Sequence, residues 1–121
     1  MERYVDGFLL PIPAENVEKY KQIAQKAGEL WKEHGALHYW EGVGDDLEHD
    51  QMVNFNRSAG VGTGEIVVLA WIVFESKAER DRINALVMAD PRMNEMMDAD
   101  DAKVFDYKRM AYGGFKTLVN I

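Results

Sequence analysis

After its first residue, the stretch EIVVLAWIVF at 65–74 offers no side chain that favours water on either face. Neighbouring residues of a strand point to opposite sides of the sheet, so a strand apolar at both parities must be covered twice. This segment is therefore predicted to be a central strand. Whatever lies on its second face decides how the chain assembles.

The flanking sequence supplies one cover. From about Ala14 to His34, the residues Val17, Tyr20, Ile23, Ala24, Ala27, Leu30, Trp31 and His34 recur at three- and four-residue spacing, which is one face of a helix. Gly35 follows the last of them, where a left-handed cap needs glycine. A second helix opens at SKAE, 76–79, where the Ser76 hydroxyl is expected to take the Glu79 amide and the Glu79 carboxylate to reach back. Ile83, Leu86 and Val87 give it a buried stripe. The dipeptide Asp90-Pro91 ends it or begins another turn, and Met93, Met96 and Met97 suggest a short third helix that fills gaps in the packing.

Three further segments read as strands. Residues 3–12, RYVDGFLLPI, are apolar apart from Asp6 and Gly7, and Pro11 and Pro13 are predicted to end their pairing. Residues 37–43, LHYWEGV, carry Leu37, Tyr39, Glu41 and Val43 on one face and His38, Trp40 and Gly42 on the other. The last strand is read over 107–119, with Gly113-Gly114 marking a bulge or a close backbone approach. Residues 45–64 are polar and glycine-rich, a long loop of the kind that is functional or mobile.

The resulting order, β-α-β-β-α-β, is the split βαβ or ferredoxin-like arrangement: an α+β fold with a four-stranded antiparallel sheet and both helices on one face. The first and third strands are then central. No part of the chain remains to cover the other face, which is expected to pair with a second copy. The expected assembly is a homodimer packed sheet to sheet, a dimeric α/β barrel enclosing a shared cavity.

A chain of 121 residues is expected to form a single domain over 1–121. The net charge of −7 opposes a broad nucleic-acid surface. No apolar run approaches membrane-spanning length, the first residues lack the apolar core of a secretion signal, and there is no cysteine, so a cytoplasmic setting is expected.

Site motifs are sparse. In EHGALHYWEGVGDD, 33–46, His34 and His38 are four apart, but Gly35 cuts the helix between them and the spacing is not HExxH. No metal site is assigned, and no cofactor. GVGTGE precedes a strand instead of opening a helix and lacks the third glycine of a dinucleotide fingerprint. DADD at 98–101 lacks the spacing of a calcium loop. A barrel-cavity site is better founded. Asp6 interrupts a central strand, where an acid must be paired or face a cavity. Asp6 and Glu41 are the candidate proton acceptors, Tyr39 and Tyr112 the groups that orient a small organic substrate, and Trp71 a wall of the cavity. Arg57, in the loop, is a further substrate-binding candidate.

Several segments together, YVDGFLLPIP, EHGALHYWEGVGDD, WIVFESKAERDRINALVMADPRM and FDYKRMAYGGF, resemble the small bacterial YbaA-like proteins, domain-of-unknown-function family 1428. The resemblance spans nearly the whole chain and implies the same dimeric α/β-barrel architecture, with no reaction to carry over. Two positions depart from the family pattern. A cysteine there often follows the second-strand glutamate, where this chain has Gly42, and the FPR motif appears as Phe55-Asn56-Arg57. A function needing that thiol would be absent. The leading reading is a homodimer that binds a small organic molecule; if it is an enzyme, analogy of fold implies cofactor-independent chemistry. The alternative is a non-enzymatic interaction or structural module, and RNA binding comes third.

Overall fold

The computed structural model describes residues 2–98 and 103–121. Residues 99–102, most of the DADD stretch, lie outside the described residues. The elements are β1 (Tyr4–Pro13), α1 (Val17–His34), β2 (His38–Val43), a short α2 (Phe55–Ser58), β3 (Glu65–Phe74), α3 (Lys77–Ala89), α4 (Pro91–Asp98) and β4 (Ala111–Lys116). The strands form one antiparallel sheet in the order β2-β3-β1-β4, with β3 and β1 central as expected for the ferredoxin-like topology. Among the described residues no helix is long and apolar enough to cross a membrane.

β1 runs on through Pro11 and Pro13 instead of stopping before them. Val67, opposite Pro11, gives its carbonyl to the Gly44 amide on the β2 side, so Pro11 and Val67 form a pair without mutual hydrogen bonds. The prolines' missing N–H groups therefore point to the β4 side. There β4 ends at Ala111, opposite Leu9, and no ladder bond is lost. β4 is shorter than 107–119, because Tyr107–Arg109 make a 3₁₀ turn before it. Gly113 and Gly114 pair in register with Gly7 and Asp6, without a bulge, and Tyr4 and Arg80 lie close over Gly114.

Gly35 closes α1 at φ 123°, and its amide reaches the Trp31 and Lys32 carbonyls. Ser76 caps α3 by accepting the Glu79 amide at 3.1 Å. The return half of the capping box is absent, since the Glu79 carboxylate is taken by Arg82 one turn on. Asp90 starts α4 by accepting the Arg92 amide, with Pro91 as first helical residue. The same carboxylate ties the end of α1 to this junction through His34 Nε2 at 2.9 Å and also meets the Arg92 guanidinium.

Two buried clusters hold helices to sheet. One joins Leu30, Ile72, Phe74, Ile83, Val87 and Met93. The other joins Leu10, Ile12 and Val68, with Val17, Tyr20, Phe105 and Met110 packed on it. The opposite sheet face is covered only at the Pro11–Val67 end, where Gly44 and Leu47 pack near Val67, and is open beyond it. Leu69, Trp40 and Phe115 are exposed there, and Trp40 stacks on Trp71 with ring centroids 4.2 Å apart.

The Asp90 cluster sets a pH dependence. Hydrogen bonds from Arg92, then from His34, hold its carboxyl well below the usual carboxylate range. A depressed folded-state pKa contributes stability above the unfolded value near 4 and loses it as pH falls toward the folded value. Asp90→Asn is expected to lower the thermal midpoint at pH 7 by on the order of a few degrees, with the deficit shrinking at pH 3. An equal deficit at both values would show that ionisation of Asp90 does not contribute.

Candidate functional site

The helices leave a cavity of about 540 Å³ between themselves and the sheet. Its floor is the helix-side row of strand residues fixed by the register. Asp6, Ile72 and Tyr39 stand side by side, and Phe8, Ala70, Glu41 and Tyr112 form the next row. Ile23, Ala24, Ala27 and Trp31 of α1 roof it with Asn84 and Met88 of α3. Met93, Met96 and Met97 of α4 and Phe105, Tyr107 and Met110 close one end. The walls are thus aromatic rings, small alanines and thioethers, a surface that adapts to irregular apolar shapes.

Two carboxyl groups enter this space, in unlike settings. Asp6 is 1 % exposed and fully engaged. Arg80 Nε donates to its two oxygens at 2.9 and 3.2 Å, Asn84 Nδ2 at 3.1 Å and the Tyr112 hydroxyl at 3.2 Å. Asn84 in turn accepts the Trp31 indole N–H at 2.9 Å. This chain of bonds stitches β1, β4, α3 and α1 together, and a charge so buried is stable only because a guanidinium answers it.

Glu41 has no such cation among its described partners. The Tyr20 hydroxyl donates to Oε1 and the Tyr39 hydroxyl to Oε2. Burial, then the charge and hydrogen bond of Glu41, raise both phenols well above their ordinary value. They therefore stay protonated and remain donors at any pH the protein meets. Each carboxylate oxygen keeps a further acceptor site for a bound molecule.

Gly28 explains how Tyr39 reaches this position. A Cβ on Gly28 would lie 2.7 Å from the Tyr39 ring, so α1 carries glycine in its interior to let the phenol pass beneath it.

Of the residues singled out from sequence, Asp6, Tyr39, Glu41 and Tyr112 meet at the cavity. Trp71 does not. It pairs with Gly7 and Trp40, one residue out of phase with the Asp6 row, and so stands on the open face. The expectation that it walls the cavity is corrected by strand parity. The cavity described above lies within one chain, under the helices. Arg57 is exposed on α2, away from the cavity lining. Tyr20, Trp31 and Asn84 join the site as polar members that the sequence does not single out. Tyr20 and Trp31 were visible only as part of α1's buried stripe, and Asn84 carried no signal. The methionines, read as packing, line the space. Among the described residues no group of three or more His, Cys, Asp or Glu side chains could hold a metal.

Comparison with known proteins agrees with the fold. Residues 3–107 match the family described as Protein of unknown function (DUF1428). The chain is 38% identical over 118 residues to the Uncharacterized protein YbaA of Escherichia coli K12, covering 98% of both chains. Among solved structures, it resembles SnoaB, a cofactor-independent oxygenase from Streptomyces nogalater, at TM-score 0.58 and 11% identity, covering 100% of this chain and 98% of that one. A dimeric ferredoxin-like protein from an uncultured marine organism gives TM-score 0.56 at 9% identity, covering 100% and 98%. Likenesses at such identity establish the ferredoxin-like fold and carry no chemistry.

The Gly28 contact yields a test. An interior Gly→Ala exchange normally stabilises a helix by about 1 kcal/mol. Here Gly28→Ala should instead destabilise by roughly 1–3 kcal/mol through overpacking against Tyr39, and in a Tyr39→Ala background the same exchange should cost less. Strictly additive effects in denaturant titrations would sever the link between the two residues.

Proposed function

This chain belongs to the family of proteins of unknown function DUF1428, and from that premise we propose that it is a cytoplasmic homodimer binding a small, mostly apolar organic molecule inside each chain. The observation that carries this reading is the 540 Å³ cavity, walled by aromatic and methionine side chains, with Glu41 held by two phenols at its floor. Glu41 is the group that engages the ligand's polar atom. In a catalytic form of the reading, which needs no cofactor, Glu41 is the proton acceptor and Tyr20 and Tyr39 orient it. Asp6 is less suited to that task, because its oxygens are already occupied by Arg80, Asn84 and Tyr112. Its role in this reading is to position Asn84 and Tyr112 at the cavity wall.

The homodimer is supported by the open sheet face, where Trp40, Trp71, Leu69 and Phe115 give a contiguous apolar surface. The fold neighbour described as dimeric supports it as well. Pairing two copies across that face leaves both cavities intact on the far sides of their sheets. The rival reading, an interaction module without a ligand, accounts for the open face and leaves the hollow interior without a reason. RNA binding is opposed by the net charge of −7.

Two measurements test the proposal. In size-exclusion chromatography with light scattering, the wild type should run as a dimer and Trp71→Glu as a monomer, since a charge centred on the face cannot be buried unpaired. A monomeric wild type would remove the dimer. In a thermal-shift survey of small organic molecules, binders of the native state must raise the midpoint. Ala24→Phe, which fills the cavity from α1, should abolish those shifts. Shifts that persist undiminished in the filled variant would place the ligand elsewhere.

A further inference from the structure

The charge balance of the cavity narrows what it holds, given the ligand-binding reading above. Its described lining contains two carboxyl groups and no lysine, arginine or histidine. Asp6 is answered by Arg80 from behind the wall. Glu41 is answered by neutral hydroxyls alone among the described partners. Two hydroxyl donors satisfy hydrogen bonds without cancelling the charge, and an uncompensated carboxylate next to an apolar cavity is costly. Around it stand the rings of Tyr20, Trp31, Tyr39 and Phe105, whose faces attract cations, with polarisable thioethers beyond.

We infer that the cavity selects an organic ammonium: a molecule with an apolar, ring-sized body and one protonated amine whose N–H group bonds to Glu41. A neutral alcohol can offer a hydrogen bond to the same oxygen but does not offset its charge. A carboxylate would bring a second negative charge into the same space. A bare metal cation is disfavoured, because no group of three or more His, Cys, Asp or Glu side chains among the described residues could complete its coordination. The amine nitrogen has room at the carboxylate, since Tyr20 and Tyr39 use one acceptor site on each oxygen and leave others.

Three probes of nearly equal shape separate the possibilities: tryptamine, tryptophol and indole-3-acetate. Their affinities for the wild-type protein at pH 7 are measured by calorimetry and checked by thermal shift. Tryptamine is expected to bind roughly tenfold or more tightly than tryptophol, and indole-3-acetate most weakly. Glu41→Gln, which keeps the shape while one phenol donates to the amide oxygen and the other accepts from its NH2, should bring tryptamine and tryptophol to within a factor of about two or three of each other. Its own thermal midpoint reports whether it folds. Equal or tighter binding of tryptophol or indole-3-acetate by the wild type would overturn the inference while leaving a ligand cavity in place. Preserved preference for tryptamine in a folded Glu41→Gln would overturn it too. Failure of all three probes to bind, together with a blank survey of other molecules, would overturn the cavity reading itself.

Discussion

Neighbouring residues in β3 point to opposite sides of the sheet, so Ile72 lies under the helices while Trp71 stacks on Trp40 across the open face. Everything else follows from that alternation. One face of the sheet is roofed by α1, α3 and α4 and contains the cavity. The other is apolar and, beyond the Pro11–Val67 end, unroofed. The chain therefore presents two apolar surfaces, and β3 is the wall between them. A one-residue slip in the pairing of β2 with β3 would exchange Glu41 for Trp40 beneath the helices, burying an indole where the phenols now meet the carboxylate.

The roofed face is hollow because its packing is divided. The cluster around Phe74 and Ile83 fills one end, and the cluster around Leu10 and Ile12 fills the other. Between them the sheet offers Ala70 and the helix offers Ala24 and Ala27, side chains too small to meet across the gap. Protein interiors ordinarily close such gaps at near-crystalline density. Here the rim is held apart by polar bonds that work at fixed lengths: Asp6 with Arg80 and Asn84 on one side, Tyr20 and Tyr39 with Glu41 on the other. Collapse would break them. The polar groups thus set the shape of the space as well as its chemistry.

What could be read in advance was local or periodic. The helical stripe of α1, the double apolarity of β3 and the Ser76 cap rest on spacing within one segment, and the strand order on the succession of elements. Partnerships between individual side chains far apart in sequence are not legible. Arg80 is separated from Asp6 by 74 positions, and nothing around either names the other. The face that Tyr39 and Glu41 share was legible from the two-residue strand repeat. That this face looks toward the helices depends on pairing with Asp6 and Ile72, which only the sheet register supplies. Trp71 stands apart for the same reason: aromatic character marks it, while parity decides its side. Gly28, a helix glycine with no local signal, acquires meaning only when Tyr39 is beneath it.

The departure at Gly42 is settled by the same geometry. Position 42 shares its face with Trp40 and Trp71, not with Glu41. A Cβ added there would run into the Trp40 indole, which lies flat over the glycine. A relative carrying cysteine at this place therefore holds its thiol on the open face, beside the dimer surface proposed here, and must seat its aromatic residues differently. The thiol could not reach a molecule bound above Glu41, because the sheet itself stands between them. Replacing cysteine by glycine accordingly leaves the cavity's donors and acceptors as they are. What it changes is the other side: the glycine lets two indoles stack flat against the sheet, giving that face a planar aromatic centre suited to meeting its own copy.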